Sequence, residues 1–150
     1  MNSTRAEKLF QYDYWANSLI IKSVHQHRDQ VRPEALQVLS HMMGARQIWF
    51  NRIKGIPVSE DLMQTAEIQE LERSNDTLTL LWMDLIHKHD PASTIVEYQN
   101  FAGQKFSSLF SDIITHVVNH GTYHRGQIAR IIRESGVQPP STDYIVFARQ

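Results

Sequence analysis

The sequence predicts an all-α protein: an antiparallel four-helix bundle with one long crossover, formed by a single domain over residues 1–150. Apolar residues recur at helical spacing over four long segments, and prolines and glycines separate these segments. Only one short stretch, between the third and fourth segments, alternates in the manner of a strand. A chain of 150 residues buries a core without disulfides, and this one contains no cysteine.

The overall composition is that of an ordinary globular protein, with 41% hydrophobic and 21% charged residues. The net charge of −1 gives no general attraction to nucleic acid or to an anionic membrane. No apolar run approaches the roughly 18 residues of a transmembrane helix, and the first residues lack the apolar segment of a secretory signal. We therefore expect a cytoplasmic protein that binds neither nucleic acid nor membrane.

The first two helices have clear boundaries. The first is predicted from about Thr4 to His27, since a broad apolar face continues through this range without a proline. The second is predicted from Pro33 to about Lys54. Proline suits the first helical position, and Gly55 followed by Pro57 is a stop signal.

The second half of the chain contains two more helices and one irregular stretch. Residues 56–67 are polar and broken, which indicates a connection, and the third helix follows from about Ile68 to His89. Pro91–Gln104 interrupts the helical pattern with alternating residues and a turn signal, which predicts a short hairpin between helices three and four. The fourth helix is predicted from about Lys105 to Ser135, and the tail after it is expected to pack back on the bundle.

The fourth helix carries an unusual buried face. Its inward positions step alternately by four and three residues and are Ile113, Val117, His120, His124, Gln127 and Ile131. A buried imidazole is unfavourable unless its ring nitrogens find hydrogen-bond partners, so these two histidines are either satisfied within the core or serve a function. Their four-residue spacing lets two imidazoles bind one metal ion, and His116 lies one further turn away. The pair of His120 and His124, with His116 beside it, favours a metal site.

A third ligand is available on the second helix. His41 belongs to a mostly apolar face, and by itself it would be interpreted as a core histidine. In a bundle, however, sites are formed by side chains on facing helices, where His41 can meet His120 and His124. Three imidazoles leave a coordination position open for water or substrate, which is typical of catalytic rather than structural zinc sites. Imidazole suits zinc, nickel, iron and copper alike, so the sequence leaves the metal open.

The chain resembles the DinB/YfiT-like family of metal-binding four-helix bundles over essentially its whole length. The resemblance rests on four segments: DYWAN, LSHMMGARQIWFNRI, TIVEYQNFAG and HVVNHGTYHRGQIARIIRESGVQPPSTDYIVF. It implies that His41, His120 and His124 are the metal ligands, the same three that the buried face selects. It leaves His116, at the edge of that face, in a supporting or structural position. It also implies a metal-dependent transferase or isomerase that uses a low-molecular-weight thiol, or a metal-dependent hydrolase.

The residues around the three histidines favour thiol chemistry. No Asp or Glu falls on the buried face of the fourth helix, so the carboxylate base of HExxH enzymes is not apparent. A metal-activated thiol needs no strong base, and we therefore expect an S-transferase-like enzyme with a divalent metal (Zn, Ni or Fe) and possible use of a low-molecular-weight thiol. Tyr123, Arg125 and Gln127 are candidate catalytic residues, with Arg125 suited to binding an anion.

Two other functions stay open. One is a hydrolase in which the metal activates water, and the other is a non-catalytic metal-binding stress protein. In either enzymatic case the partner is a small-molecule substrate, and relatives of this type lead us to expect a homodimer.

Overall fold

The computed structural model describes residues 1–150 and confirms the all-α class. A 3-10 turn at Glu60–Met63, a hairpin of β1 (Ile95–Gln99) and β2 (Lys105–Leu109), and a short helix α5 (Tyr144–Ala148) accompany the bundle. No helix combines the length and the apolar character that crossing a membrane requires. The four long helices are α1 (Ser3–Gln26), α2 (Glu34–Lys54), α3 (Ile68–Lys88) and α4 (Phe110–Glu134).

The ends of the first two helices follow local chemistry. The side-chain oxygen of Asn2 accepts a hydrogen bond from the Arg5 backbone N–H at 2.9 Å, which caps α1. Helix α2 ends at Gly55, whose φ of +66° is a left-handed conformation that favours glycine. Both boundaries lie within a few residues of the predicted ones.

Neighbouring helices run in both relative directions. Helix α1 is antiparallel to α3, because Phe10 stacks on Trp82 while His25, farther along α1, pairs with Glu72, earlier in α3. Helix α2 is likewise antiparallel to α4, and α1 with α4 and α2 with α3 form parallel pairs. The bundle therefore runs up, down, down and up.

The predicted connection between the second and third helices is the segment 55–67, which returns along the outside of α2 as a long crossover. The Ala66 N–H donates to the Ser40 hydroxyl at 3.0 Å, so the segment ends beside the first half of α2. On its way it crosses Gly44, where an added Cβ would overlap the carbonyl oxygen of Leu62. Helix α3 consequently starts beside the start of α2 and runs parallel to it.

The predicted hairpin is confirmed, and it shortens α4. Strand β1 pairs antiparallel with β2, with Ile95 opposite Leu109 and Gln99 opposite Lys105. The prediction that the fourth helix begins at Lys105 is wrong, because residues 105–109 form β2 and the helix begins at Phe110. The ladder with β1 takes the backbone hydrogen bonds that a helix would have used.

The C-terminal tail returns to α1, as expected. The Tyr12 hydroxyl donates to the Thr142 carbonyl at 2.9 Å, and Tyr144 of α5 meets the Tyr12 ring edge-on at 5.1 Å. This contact covers part of the first half of α1.

A polar layer divides the buried core in two. One apolar cluster surrounds Trp82, which stacks between Phe10 and Phe110, and the other contains Ile20 and Leu39. Between them lie five buried polar side chains from all four helices: Asp13, Asn17, Arg46, Asn75 and Arg125.

Candidate metal centre

Three histidines meet between α2 and α4. Antiparallel packing brings His41 level with His120 and His124, at ring-centre distances of 5.2 and 4.7 Å. The four-residue spacing on α4 places the latter two on adjacent turns, where their Nε2 atoms lie 3.0 Å apart. One ring nitrogen from each of the three lies within 4.8 Å of the others. The structure thus brings the three predicted ligands together.

The cluster fits a divalent metal ion. Metal–nitrogen bonds of about 2.0–2.1 Å in a tetrahedral site separate the ligand nitrogens by about 3.3 Å, close to the spacing of the two Nε2 atoms. Burial lowers the pKa of His120 to about 4, with a further contribution from neighbouring His124. Burial likewise lowers the pKa of His41. These two rings are therefore neutral at pH 7 and present the lone pairs that a metal requires.

Gln127 orients one of the three rings. The Nδ1–H of His124 donates to the Gln127 Oε1 at 2.9 Å. This hydrogen bond leaves the lone pair of His124 on Nε2, which faces the centre of the cluster. Gln127, predicted as a catalytic candidate, thus contacts a ligand candidate.

His116 lies beside the cluster and outside it. Its ring packs edge-on against Trp49 at 5.2 Å and lies 5.9 Å from the ring of His120. Burial lowers its pKa, and the positive charge of Arg52 lowers it further. His116 therefore links the cluster to the aromatic side chains at the end of α2.

Solvent reaches the cluster through a wide depression on α4. The depression has a volume of about 480 Å³ and includes His120 in its lining. Tyr123 is 66% exposed at its edge, and the Tyr123 ring meets the His124 ring edge-on at 5.1 Å. A small molecule can therefore approach the histidines from this side. The residues that line the depression are Asp112, Thr115, His116, Asn119, His120 and Tyr123.

Arg125, expected to bind an anion in the cleft, has a different place. It is 1% exposed and points towards α1, where its Nη1 donates to the Asp13 carboxylate at 2.6 Å and to the Asn17 side-chain oxygen at 2.7 Å. Position 125 lies on the face of α4 that packs on α1, whereas position 124 faces α2. Arg125 is thus already paired within the core.

Sequence reasoning missed the centre of this polar layer, Asp13. Arg46 approaches it from α2 with its Nε 3.5 Å from the second carboxylate oxygen, and Arg46 Nη1 donates to the Asn75 side-chain oxygen at 3.0 Å. A signal for it exists in the sequence. Asp13 and Asn17 occupy the core-facing positions of α1 between apolar residues that step by three and four, where two polar residues require partners.

Comparison with known proteins identifies relatives of the whole chain. The sequence model of the family described as "DinB family" matches residues 1–150. Protein DinB of Bacillus subtilis (strain 168) is 29% identical over 159 residues, an alignment that covers 95% of this chain and 92% of that protein.

Proposed function

The chain belongs to the DinB family, and from this premise we propose that it is a metal-dependent enzyme that activates a low-molecular-weight thiol for an S-transfer reaction. The observation that carries the proposal is the composition of the candidate site: three histidines without a carboxylate among them, one of which, His120, lines an open depression. When bound, a divalent ion at the three histidines lowers the pKa of a thiol or water in its open position.

The carboxylates nearest the cluster are poorly suited to act as a general base. A general base must come within about 3 Å of the proton that it removes. Asp13 is buried between two guanidinium groups, and Asp112, eight residues before His120, lies about 12 Å away along the axis of α4. A thiol loses its proton far more readily than water does, because its pKa is about 8.5. This favours thiol transfer over hydrolysis.

Each polar residue at the site has a proposed task. His41, His120 and His124 hold the metal, and Gln127 keeps the His124 lone pair directed towards it. Tyr123, at the edge of the depression, is placed to donate a hydrogen bond from its hydroxyl to a bound substrate. The exposed position of Tyr123 lets that substrate enter and leave.

Metal titration with elemental analysis tests the first part of the proposal. We expect about one metal ion per chain in the wild type and loss of binding in His41→Ala, His120→Ala and His124→Ala. His116→Ala is the matched control and should retain the ion, because it lies outside the cluster. Equal binding in all four variants would contradict the assignment of the ligands.

Turnover by the metal-loaded protein separates the remaining functions. Product formation that needs both an electrophile, such as an epoxide, and an added thiol supports the transferase. Ester hydrolysis at the same rate with and without thiol would instead support a hydrolase. Absence of both activities in the metal-loaded protein would support the non-catalytic metal-binding alternative.

The proposal also includes the setting of the enzyme. We propose a homodimer in the cytoplasm that acts on a small molecule and binds neither nucleic acid nor membrane. Light scattering of the purified protein at micromolar concentration tests the oligomeric state, and a mass of one chain, 17.4 kDa, would contradict the dimer.

A further inference from the structure

Arg52, near the end of α2, is surrounded by aromatic rings and has no anionic partner. Its guanidinium carbon lies 4.8 Å from the ring centre of Trp49, 5.7 Å from that of Tyr98 and 5.3 Å from that of Phe101. Its Nε is buried and makes no hydrogen bond. The side chain takes part in no ion pair within the chain, although burial disfavours its charge and lowers its pKa.

Two other arginines show how a guanidinium pairs with an anion in this protein. Arg46 and Arg125 also lie over aromatic rings, but both direct their charge at Asp13. Arg52 is only partly buried, but partial removal of a charge from water without a counter-charge is still unfavourable, and aromatic faces offset only part of that cost. Arg52 therefore lies against aromatic rings as Arg46 and Arg125 do, but it has no carboxylate partner in place of Asp13.

The side chain borders a groove large enough for a small molecule. This groove lies between the hairpin and the first residues of the crossover, and its volume is about 560 Å³, within the usual range of ligand sites. The residues that define it include Arg52, Gly55, Pro57, Tyr98, Asn100 and Phe101. The rings hold the guanidinium in one plane, which suits it to paired hydrogen bonds with a planar or tetrahedral oxyanion.

We propose that Arg52 binds the oxyanion of a small molecule, a carboxylate or a phosphate, in this groove. The assignment of the molecule rests on the function proposed above. The oxyanion is the end of the substrate that lies farthest from the atom that reacts at the histidines. Trp49 packs against both Arg52 and His116, and His116 adjoins His120. Arg52 follows His41 by eleven residues, about 16 Å along α2, so the ligand is extended and carries its charge away from the reacting atom.

Glu97 is the competing partner, because its side chain also lines the groove. Its carboxylate is more than 4.0 Å from the Arg52 guanidinium, since the two form no ion pair. If Glu97 nevertheless neutralised Arg52 in solution, removing its charge would change the environment of the Arg52 Nε–H before any anion is added.

The test is an NMR titration of the arginine Nε–H signals in the full chain. Succinate and inorganic phosphate are the probes, with chloride used to hold the ionic strength constant and succinamide as the neutral control. The buried Nε–H groups of Arg46 and Arg125 are internal references. We expect the Arg52 signal alone to shift and to saturate at millimolar succinate or phosphate. The tighter of the two probes identifies the oxyanion.

Variants separate this site from the metal and from a structural role. Arg52→Met should abolish the saturating response, and Arg52→Lys should weaken it at least five-fold, because an ammonium lacks the planar fork. His41→Ala should leave the response of Arg52 to the anion unchanged, whether or not the wild-type protein turns over a thiol. The test of the anion site is thus independent of the test of the proposed activity. Glu97→Gln should leave the anion-free Arg52 signal in place and tighten binding.

Four results would overturn the proposal. They are a response no larger than that to chloride, parallel shifts of Arg46 and Arg125, loss of the response in His41→Ala, and an anion-free shift in Glu97→Gln as large as that of the saturated wild type. The third would place the anion at the metal, and the fourth would make Glu97 the partner of Arg52.

Discussion

The polar layer around Asp13 and the histidine cluster lie side by side, and they differ in how their polar atoms are used. In the polar layer, Asp13 accepts from Arg125 and from Asn17, while Asn75 accepts from Arg46. Apart from the Nε atoms of the two arginines, its buried side-chain donors and acceptors are paired within the chain. In the histidine cluster, Gln127 accepts from one ring nitrogen of His124, and the other lies within hydrogen-bonding distance, 3.0 Å, of His120 Nε2. These central nitrogens contact only one another.

This difference explains why one group holds the helices together while the other is suited to binding. The ion pairs of Asp13 join α1 to α2 and α4 and have no free oxygen for a ligand. The histidines direct ring nitrogens towards one another, and His120 also lines the depression through which a small molecule can approach. The two groups share helix α4, because Gly121 follows His120 and Arg125 follows His124. A substitution that disturbs the polar layer should therefore also affect the histidine cluster.

The largest expected effect comes from Asp13→Asn. The change leaves two buried guanidinium groups without a counter-charge, and loss of one member of a buried ion pair costs about 3–5 kcal/mol. We expect the free energy of unfolding, measured by urea titration, to fall by this amount. Asp84→Asn, which removes an exposed pair with Lys88, is the control and should be neutral. Equal stability of the two variants would show that the polar layer does not hold the bundle.

A smaller loss is expected from Gly121→Ala. A Cβ at this position would lie 2.6 Å from Asp13 Oδ1 and 2.9 Å from Arg125 Nη1, so the buried pair must shift. Overpacking of this kind costs about 1–3 kcal/mol. Gly126→Ala is the matched control, because nothing lies within 4 Å of its Cβ and alanine favours the helix by about 0.5–1 kcal/mol. If both alanine variants are more stable than the wild type, the predicted overpacking at Gly121 is wrong.

Gln127→Leu should affect the histidine cluster alone. Loss of the acceptor for His124 Nδ1–H releases the ring, and loss of such a supporting contact lowers metal affinity about 10-fold or more. Gln127→Glu keeps an acceptor and should retain the affinity. Calorimetric titration measures the affinity, and urea unfolding with a chelator should give the same stability for all three proteins. A drop in metal-free stability in Gln127→Leu would mean that the contact belongs to the core.

The smallest effect is on the pH dependence of the metal-free protein. His120 has a pKa of about 4 when folded and about 6.5 when unfolded, so the unfolded chain binds more protons between these values. The free energy of unfolding should therefore decrease as pH falls from about 6.5 to 4. For a half-exposed ring we expect a loss on the order of 1 kcal/mol. Urea titrations of His120→Asn should show a flatter profile, and an unchanged profile would contradict the assignment.

The sequence predicts the histidine cluster better than the polar layer for a physical reason. Two histidines on one helix can be recognised by their spacing. The apolar residues around His41 indicate that this third histidine also faces the interior of the bundle. Asp13 has its partners on other helices, so no spacing within α1 identifies them. An arginine next to His124 looks like a surface charge until the packing of α4 on α1 is known.

The start of α4 is not evident from the sequence for a related reason. Residues 105–109, KFSSL, have no helical or strand pattern strong enough to decide their structure. Pairing with Ile95–Gln99 decides it, and that contact lies between segments. The alternation in Ile95–Gln99 itself, together with the turn at Gly103, was sufficient to predict the hairpin.

The distribution of the three histidines along the chain also bears on when the proposed metal site can form during synthesis. His41 emerges from the ribosome about 80 residues before His120, and its side chain has no ligand partner until α4 has docked against α2. A nascent chain that ends before α4 contains only His41 of the three cluster histidines, and a single imidazole binds divalent ions weakly. If the cluster binds a metal as proposed, uptake therefore follows the docking of α4 against α2.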